Sequence, residues 1–277
     1  MRNQKMMLGE LALTRVEYMS LPVPAELLGI APDQLAQVSW AEPAWVTEGQ
    51  IKISAAAWFA EAGGKRIVFD PVQTTDVLLR ADEASEAQHQ TQLAAAFTES
   101  GFALDSIDLV LMTHIEDVGA VATHMNGEWQ PFFPNAKILL SAEQLKSFVE
   151  DQSETTEQSP VHDAWLAMIH QGRVDTYSDG ETLLPGVVAE VTNRHQVGHS
   201  VFHLNDKEAT FIGHLAVTPM HLATGPCEAL NEMPEAAFEC LQEIARDGRK
   251  LIGPLWPGSG VGRWMDNRLH EVVLDDA

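Results

Sequence analysis

Residues 51–62 (Ile51-Lys52-Ile53-Ser54-Ala55-Ala56-Ala57-Trp58-Phe59-Ala60-Glu61-Ala62) are almost wholly apolar and predict a buried, extended strand. Gly63-Gly64 then marks a hairpin turn, and residues 66–70 (Arg66-Ile67-Val68-Phe69-Asp70) form the returning strand. Over residues 83–100 the period changes. Leu93, Ala96 and Phe97 fall on one face, as an amphipathic helix requires. The apolar run Leu109-Val110-Leu111-Met112 reads as a buried strand ending at Thr113-His114. A short strand over 137–140 leads to Ser141, which is suited to cap a helix carrying Leu145 and Phe148. Residues 150–159 are polar and predict an exposed loop.

The second half repeats this style. Strands are expected over 173–177, 186–192 and 200–204, a turn at Asn205-Asp206-Lys207-Glu208, and a return strand over 209–212 that ends at Gly213-His214. A helix over 234–246 and short closing strands at 251–252 and 261–265 complete the chain. Strands and helices mixed in two comparable halves suggest one α/β sandwich domain. Residues 1–50, Pro-rich from about residue 20, read as an N-terminal arm packed on a domain of residues 51–277. Leu28, Trp40 and Trp45 anchor that arm, either as ordinary packing or as a cover for a site or a partner subunit.

Composition narrows the partners. Against 17 Lys+Arg stand 40 Asp+Glu, a formal net charge of −23, which repels phosphate backbones and anionic lipid heads. Nucleic acid and membrane surfaces are therefore not expected partners. No apolar run approaches the roughly 20 residues of a membrane span. Residues 1–10 lack the apolar core of a signal peptide. The two cysteines, Cys227 and Cys240, suit a reducing compartment. A cytoplasmic protein is expected.

The chemistry gathers at histidines. His114 and His214 each follow an apolar strand, the end at which α/β proteins usually place ligands. Arg194-His195-Gln196-Val197-Gly198-His199-Ser200 precedes another strand, and Glu116 and Asp117 closely follow His114. Imidazole nitrogen and carboxylate oxygen suit zinc, iron or manganese. His89, His124, His162, His170, His203, His221 and His270 read as structural residues, with His124 and His221 near the candidate site.

In order and spacing these segments resemble the metallo-β-lactamase superfamily, nearest its lactonase-like and organophosphate-hydrolase-like branch. The resemblance runs from about residue 10 to 273. It includes the strand ending in Asp70, the segment from Ile107 to His114, Gly127-Glu128-Trp129, Phe133-Pro134-Asn135-Ala136, Gly172-Arg173-Val174-Asp175, Leu184-Pro185-Gly186-Val187, His195 through His199, and Pro257-Gly258-Ser259-Gly260-Val261-Gly262-Arg263. It implies a single-domain, four-layer αββα sandwich with a metal site at one edge.

Within that resemblance the site departs from the family pattern. The motif T-H-x-H-x-D-H-x-G becomes Thr113-His114-Ile115-Glu116-Asp117-Val118-Gly119, which keeps only its first histidine. The segment like T-P-G-H-T-P-G-H becomes Thr192 through His199, with His199 retained as a ligand candidate and His195 beside it. The bridging aspartate becomes His214, and the last histidine becomes Leu255. Two nearby cations repel strongly unless an anionic oxygen lies between them. At most one divalent ion is therefore expected, zinc before iron, held by His114, Glu116, His199 and His214, with Glu116 or Asp117 orienting water or taking its proton. A neutral lactone or ester is the expected substrate. The alternative is a metal-free pseudoenzyme in which Phe133, Met220, Leu255 and Trp256 line an apolar pocket for a hydrophobic small molecule. A third reading is an interaction role, with the arm pairing subunits. A homodimer is compatible with all three.

Overall fold

Alternation along the strands decides the architecture. In Gln50–Ala62, Trp58 and Ala60 face one core while Ala57 and Phe59 face another; in Lys65–Phe69, Ile67 and Phe69 oppose Val68 in the same way. A strand buried on both faces must lie between two apolar layers, which is what a four-layer sandwich supplies. The computed structural model describes residues 2–71, 83–115, 121–125, 127–150 and 160–276. The loop expected over 150–159 lies, apart from Glu150, outside them.

The first sheet runs, edge to edge, through Val174–Tyr177, Lys137–Ser141, Leu109–Leu111, Lys65–Phe69, Gln50–Ala62, Leu11–Pro24, Arg2–Leu8 and Asp275–Asp276, with Val46–Thr47 beside Gln50–Ala62. The second runs through Thr182–Leu184, Val187–Val191, Ser200–Leu204, Ala209–Phe211, Lys250–Ile252, Val261–Met265 and Arg268–Glu271. Between them Trp58, Phe69, Leu111 and Tyr177 pack against Phe202, Phe211, Ile252 and Val261. Outside the first sheet, helices Glu83–Glu99 and Pro160–His170 bring Leu93, Phe97, Trp165 and Met168 onto Phe59, Val68, Val110 and Ile138. Outside the second, helix Pro234–Ala245 sets Leu241 and Ile244 in a core with Val201 and Leu251. The fold is an αββα sandwich.

Gly63 and Gly64, with φ of 57° and 75°, make the expected hairpin, and Ala62 pairs with Lys65 across it. Ser141 caps the following helix: its hydroxyl accepts from the Gln144 amide at 3.0 Å and donates to the Gly198 carbonyl at 2.6 Å. That second bond ties the helix to the loop carrying His195 and His199.

The first 50 residues are more deeply woven in than an arm. Leu11–Pro24 pairs with Gln50–Ala62 over its length, from Ala12 opposite Glu61 to Pro24 opposite Gln50. A boundary at residue 50 therefore cuts through a sheet. Residues 25–41 form short helical turns, with Leu28 and Trp45 buried and the Trp40 ring 5.8 Å from that of Trp45.

This segment is held by a buried histidine. His221 Nε2 donates to the Leu28 carbonyl at 2.9 Å, and Cys227 Sγ reaches the same oxygen at 3.4 Å. Burial pushes the His221 pKa down from 6.5 to about 4, against the smaller opposing pull of the Leu28 hydrogen bond. Between those two values the unfolded chain binds a proton that the folded chain excludes. Stability therefore falls as pH drops through this window, on the order of 3 kcal/mol from His221 alone. Denaturant midpoints at about pH 7 and about pH 4 should differ, and His221→Gln should narrow the difference.

Candidate metal centre

Three histidines converge because three strand ends do. His114 stands just past Leu109–Leu111, His214 just past Ala209–Phe211, and His195 in the loop entering Ser200–Leu204. One ligand nitrogen from each of His114, His195 and His214 lies within 4.8 Å of the other two, and all three residues are buried. Their ring centroids are 4.9 Å apart for His114–His195 and His114–His214, and 6.2 Å for His195–His214. His199 adjoins them, 5.3 Å from His114 and 5.2 Å from His195 between centroids.

The His114 and His195 rings are each set by what Nδ1 touches. His114 Nδ1 lies 2.9 Å from Thr113 Oγ1, whose hydroxyl donates to Asp70 Oδ2; the Thr113 amide also donates to Asp70 Oδ1, at 3.1 Å. With its hydrogen committed to a carboxylate, the Thr113 hydroxyl accepts the Nδ1–H of His114 and leaves Nε2 as a lone pair. His195 Nδ1 is 2.8 Å from Asn231 Oδ1, and Asn231 Nδ2 donates to the Cys227 carbonyl at 3.1 Å, which orients the amide. His195 therefore also carries its proton on Nδ1. Such outer partners fix the tautomer that a metal ligand needs.

Thr113 is the keystone of this edge. Its carbonyl accepts from the Ser200 amide of the second sheet at 2.9 Å. Gly213, at φ 54°, passes so close that a Cβ there would lie 2.7 Å from Thr113 Oγ1. Thr113→Val keeps the shape but frees the His114 tautomer and leaves Asp70 one donor short. The expected result is a roughly 10–100-fold loss of zinc affinity, the scale of outer-partner losses, measured by chelator competition.

Burial strips water from the cluster. The His114 pKa is held well below 6.5, first by desolvation and then by repulsion from His195, His214 and His199. His199 is lowered well below 6.5 in the same way, by desolvation and then by His195 and His214. At neutral pH these two rings present uncharged imidazole, the form that ligates metal.

Of the expected ligands, the structure brings His114 and His214 together, adds His195 to them, and sets His199 alongside. Glu116 and Asp117 lie outside the described residues. The signal for His195 was present in the sequence, four positions before His199, but choosing between the two required the turn. Gly198, at φ 79°, folds the loop back, with the His199 amide donating to the Gln196 carbonyl at 3.1 Å. Asn231, far along the chain, gave no signal. Phe133 packs in the core under helix Glu83–Glu99, whereas Met220, Leu255 and Trp256 pack in the core against helix Pro234–Ala245.

Beside the histidines a cleft of ≈ 280 Å³ is lined by Ile115, Gln144, Ser147, Phe148, Gln196, Val197 and Glu232. Gln196 Nε2 donates to the Ile115 carbonyl at 3.0 Å and to Gln144 Oε1 at 3.1 Å, joining the two histidine loops at its floor. A larger cleft of ≈ 890 Å³, between helix Glu83–Glu99 and hairpin Ala122–Pro131, includes none of the four histidines.

Two packed sheets flanked by helices, with clustered histidines at the strand ends, define the metallo-β-lactamase fold, and this chain has it. No family model matches the sequence, and no curated protein does. Among solved structures the chain is similar to AbOPH, a hydrolase in the β-lactamase superfamily, with a TM-score of 0.75, 17% identity and 99% of each chain covered. It is also similar to AidC, a dizinc quorum-quenching lactonase solved with the product N-hexanoyl-L-homoserine, with a TM-score of 0.74, 16% identity, and 97% of this chain and 96% of that one covered. A probable metal-dependent hydrolase from Staphylococcus aureus gives a TM-score of 0.70 at 12% identity, covering 98% and 99% of the two chains.

Proposed function

We propose that the protein is a metal-dependent hydrolase of a neutral lactone or ester, working with a single divalent ion, zinc before iron, held by His114, His195 and His214. The observation that carries this reading is the convergence of three buried imidazoles, two of them with the proton fixed on Nδ1, the tautomer that makes Nε2 the ligand atom. Three imidazoles are a donor set that suits a catalytic zinc and leaves a coordination position for substrate. When bound, the ion supplies Lewis acidity, polarising a carbonyl or phosphoryl oxygen and making water acidic enough to attack near neutral pH.

The chain's own groups do the rest. Asp70 and Thr113 hold His114, Asn231 holds His195, and the packed strand ends keep bulk water from the rings. Glu116 and Asp117, next in sequence after this edge, are proposed to orient water or accept its proton. The donor chemistry supports a single ion. Among the described residues the group contains only imidazoles, which leave two neighbouring cations without an anion between them. The net charge of −23 disfavours anionic substrates and selects neutral ones.

The test combines metal analysis of dialysed protein with assays on a panel of lactones, esters and phosphotriesters. One zinc per chain is expected, with hydrolysis of a neutral lactone or ester lost to a chelator and restored by zinc. Two tightly held ions, or hydrolysis indifferent to chelation, would overturn the proposal. A protein that binds no metal and instead holds a hydrophobic ligand would replace it with the metal-free reading.

A further inference from the structure

The cleft beside the histidines contains a polar group that the chain orients but does not satisfy. Gln144 lines this cleft and is only 7% exposed. Its backbone is held by the Ser141 cap, to which its amide donates at 3.0 Å. Its side chain is held by Gln196. The Ile115 carbonyl can only accept, so the Gln196 atom 3.0 Å from it is the donor Nε2. The other hydrogen of that nitrogen meets Gln144 at 3.1 Å, and the atom there is therefore Oε1. Gln144 Nε2 is turned the other way, and its two hydrogens have no acceptor among the described residues. That nitrogen is not sealed in the core; it opens on the cleft.

The surroundings define what would meet it. An oriented amide donor calls for an oxygen acceptor, and a ligand carbonyl can replace the water that otherwise binds there. Ile115, Phe148 and Val197 add apolar wall to the same cleft. Glu232 lines it too, and the chain carries a net charge of −23, so a carboxylate is a poor match and an uncharged oxygen a good one. The cleft is tied to the histidines by the chain itself. Ile115 follows His114, Gln196 follows His195, and the Glu232 amide donates to the His195 carbonyl at 3.1 Å. A molecule whose reacting carbonyl sits at the histidines can thus place its neighbouring part here.

We propose that Gln144 is a specificity-determining residue whose Nε2 donates to a second, uncharged oxygen of the substrate, with Gln196 as the positioning residue that orients it. The substrate is then an ester or lactone that carries a further carbonyl or similar acceptor beside an apolar group, in preference to a plain aliphatic one. This rests on the hydrolase reading above and narrows its substrate.

The test uses ethyl 4-oxopentanoate and ethyl pentanoate, which differ only in one ketone oxygen. Binding is read by nuclear magnetic resonance on the full chain carrying isotope-labelled glutamine. The side-chain amide signals of Gln144 are assigned by their absence in Gln144→Glu, or in Gln144→Met if the first variant does not fold. They should shift with the ketone ester and not with the plain one. Zinc-loaded wild type should hydrolyse the ketone ester with a kcat/KM about 2–10-fold higher, the scale of one net hydrogen bond, after correction for the two esters' rates with hydroxide. That ratio should fall to about one in Gln144→Glu and lie between in Gln196→Leu, where nothing orients the Gln144 amide. Gln144 signals that respond to both esters alike, or to neither, overturn the proposal, and so does a ratio unchanged in both variants. If hydrolysis is still lost to a chelator in that case, the hydrolase reading stands. A ketone-specific shift in a protein that hydrolyses neither ester supports Gln144 as a ligand donor and overturns the hydrolase reading instead.

Discussion

Alanine at His195 is expected to abolish stoichiometric zinc binding, with affinity falling by more than the roughly 10–100-fold that the loss of a supporting hydrogen bond costs. His195 is the member of the cluster nearest the outside, yet it is buried, and its Nδ1 is fixed by Asn231 at 2.8 Å. Removing it takes one of three converging nitrogens and leaves two, those of His114 and His214. The loss has a readout that does not depend on knowing the substrate. An ion that binds only the folded chain stabilises it by about 2.7 kcal/mol when free ion is at 100 times its Kd. For a domain of this size that is a rise of several degrees in Tm. Wild-type protein should show this rise on adding zinc, and His195→Ala should not. Asn231→Ala should fall between them. A zinc-dependent rise in Tm that survives in His195→Ala would mean the ion is held elsewhere.

Much of the scaffold was legible in the sequence because its central strands are buried on both faces and therefore carry continuous apolar runs. Gln50–Ala62, Leu109–Leu111 and Ser200–Leu204 announce themselves in this way. Leu11–Pro24 was harder to see, since Thr14, Arg15, Glu17 and Ser20 interrupt it. The structure accounts for the buried Arg15, which donates to Gln4 Oε1 and the Trp256 carbonyl and pairs with Glu17 at 2.9 Å. Charge inside a strand is tolerated there because Glu17 neutralises it and Gln4 and Trp256 accept from its terminal nitrogens.

The candidate site was legible at His114 and His214, where an apolar strand ends in a histidine and strand direction alone fixes the position. It was only half legible in the loop between Thr192 and Ser200. Two histidines four residues apart cannot be ranked by spacing when the chain reverses between them. The supporting residues Thr113, Asp70 and Asn231 act through hydrogen bonds across 43 and 36 positions of sequence, and no local pattern records such bonds.

That reversal makes Gly198→Ala the most damaging small substitution expected outside the ligands. Gly198 has φ 79°, and a Cβ placed on it would lie 2.3 Å from the Gln144 amide nitrogen and 2.4 Å from its Cα. Those atoms belong to the first turn of helix Ala142–Glu150, held by the Ser141 cap, and the cap hydroxyl also binds the Gly198 carbonyl. Neither side can yield without breaking that pair of hydrogen bonds. The left-handed backbone costs a non-glycine residue about 1–2 kcal/mol, and forcing atoms into a packed site adds about 1–3 kcal/mol. Gly172→Ala separates the two effects, because Gly172 has φ 65° with nothing within 4 Å of its Cβ position. Denaturant unfolding should show Gly172→Ala losing only the backbone part and Gly198→Ala losing clearly more. The second variant should also lose zinc affinity, since any outward shift of residue 198 carries His199 and His195 with it. Equal losses in the two variants would show that the loop is free to move away from the helix, and that the Ser141–Gly198 bond does not position the histidines.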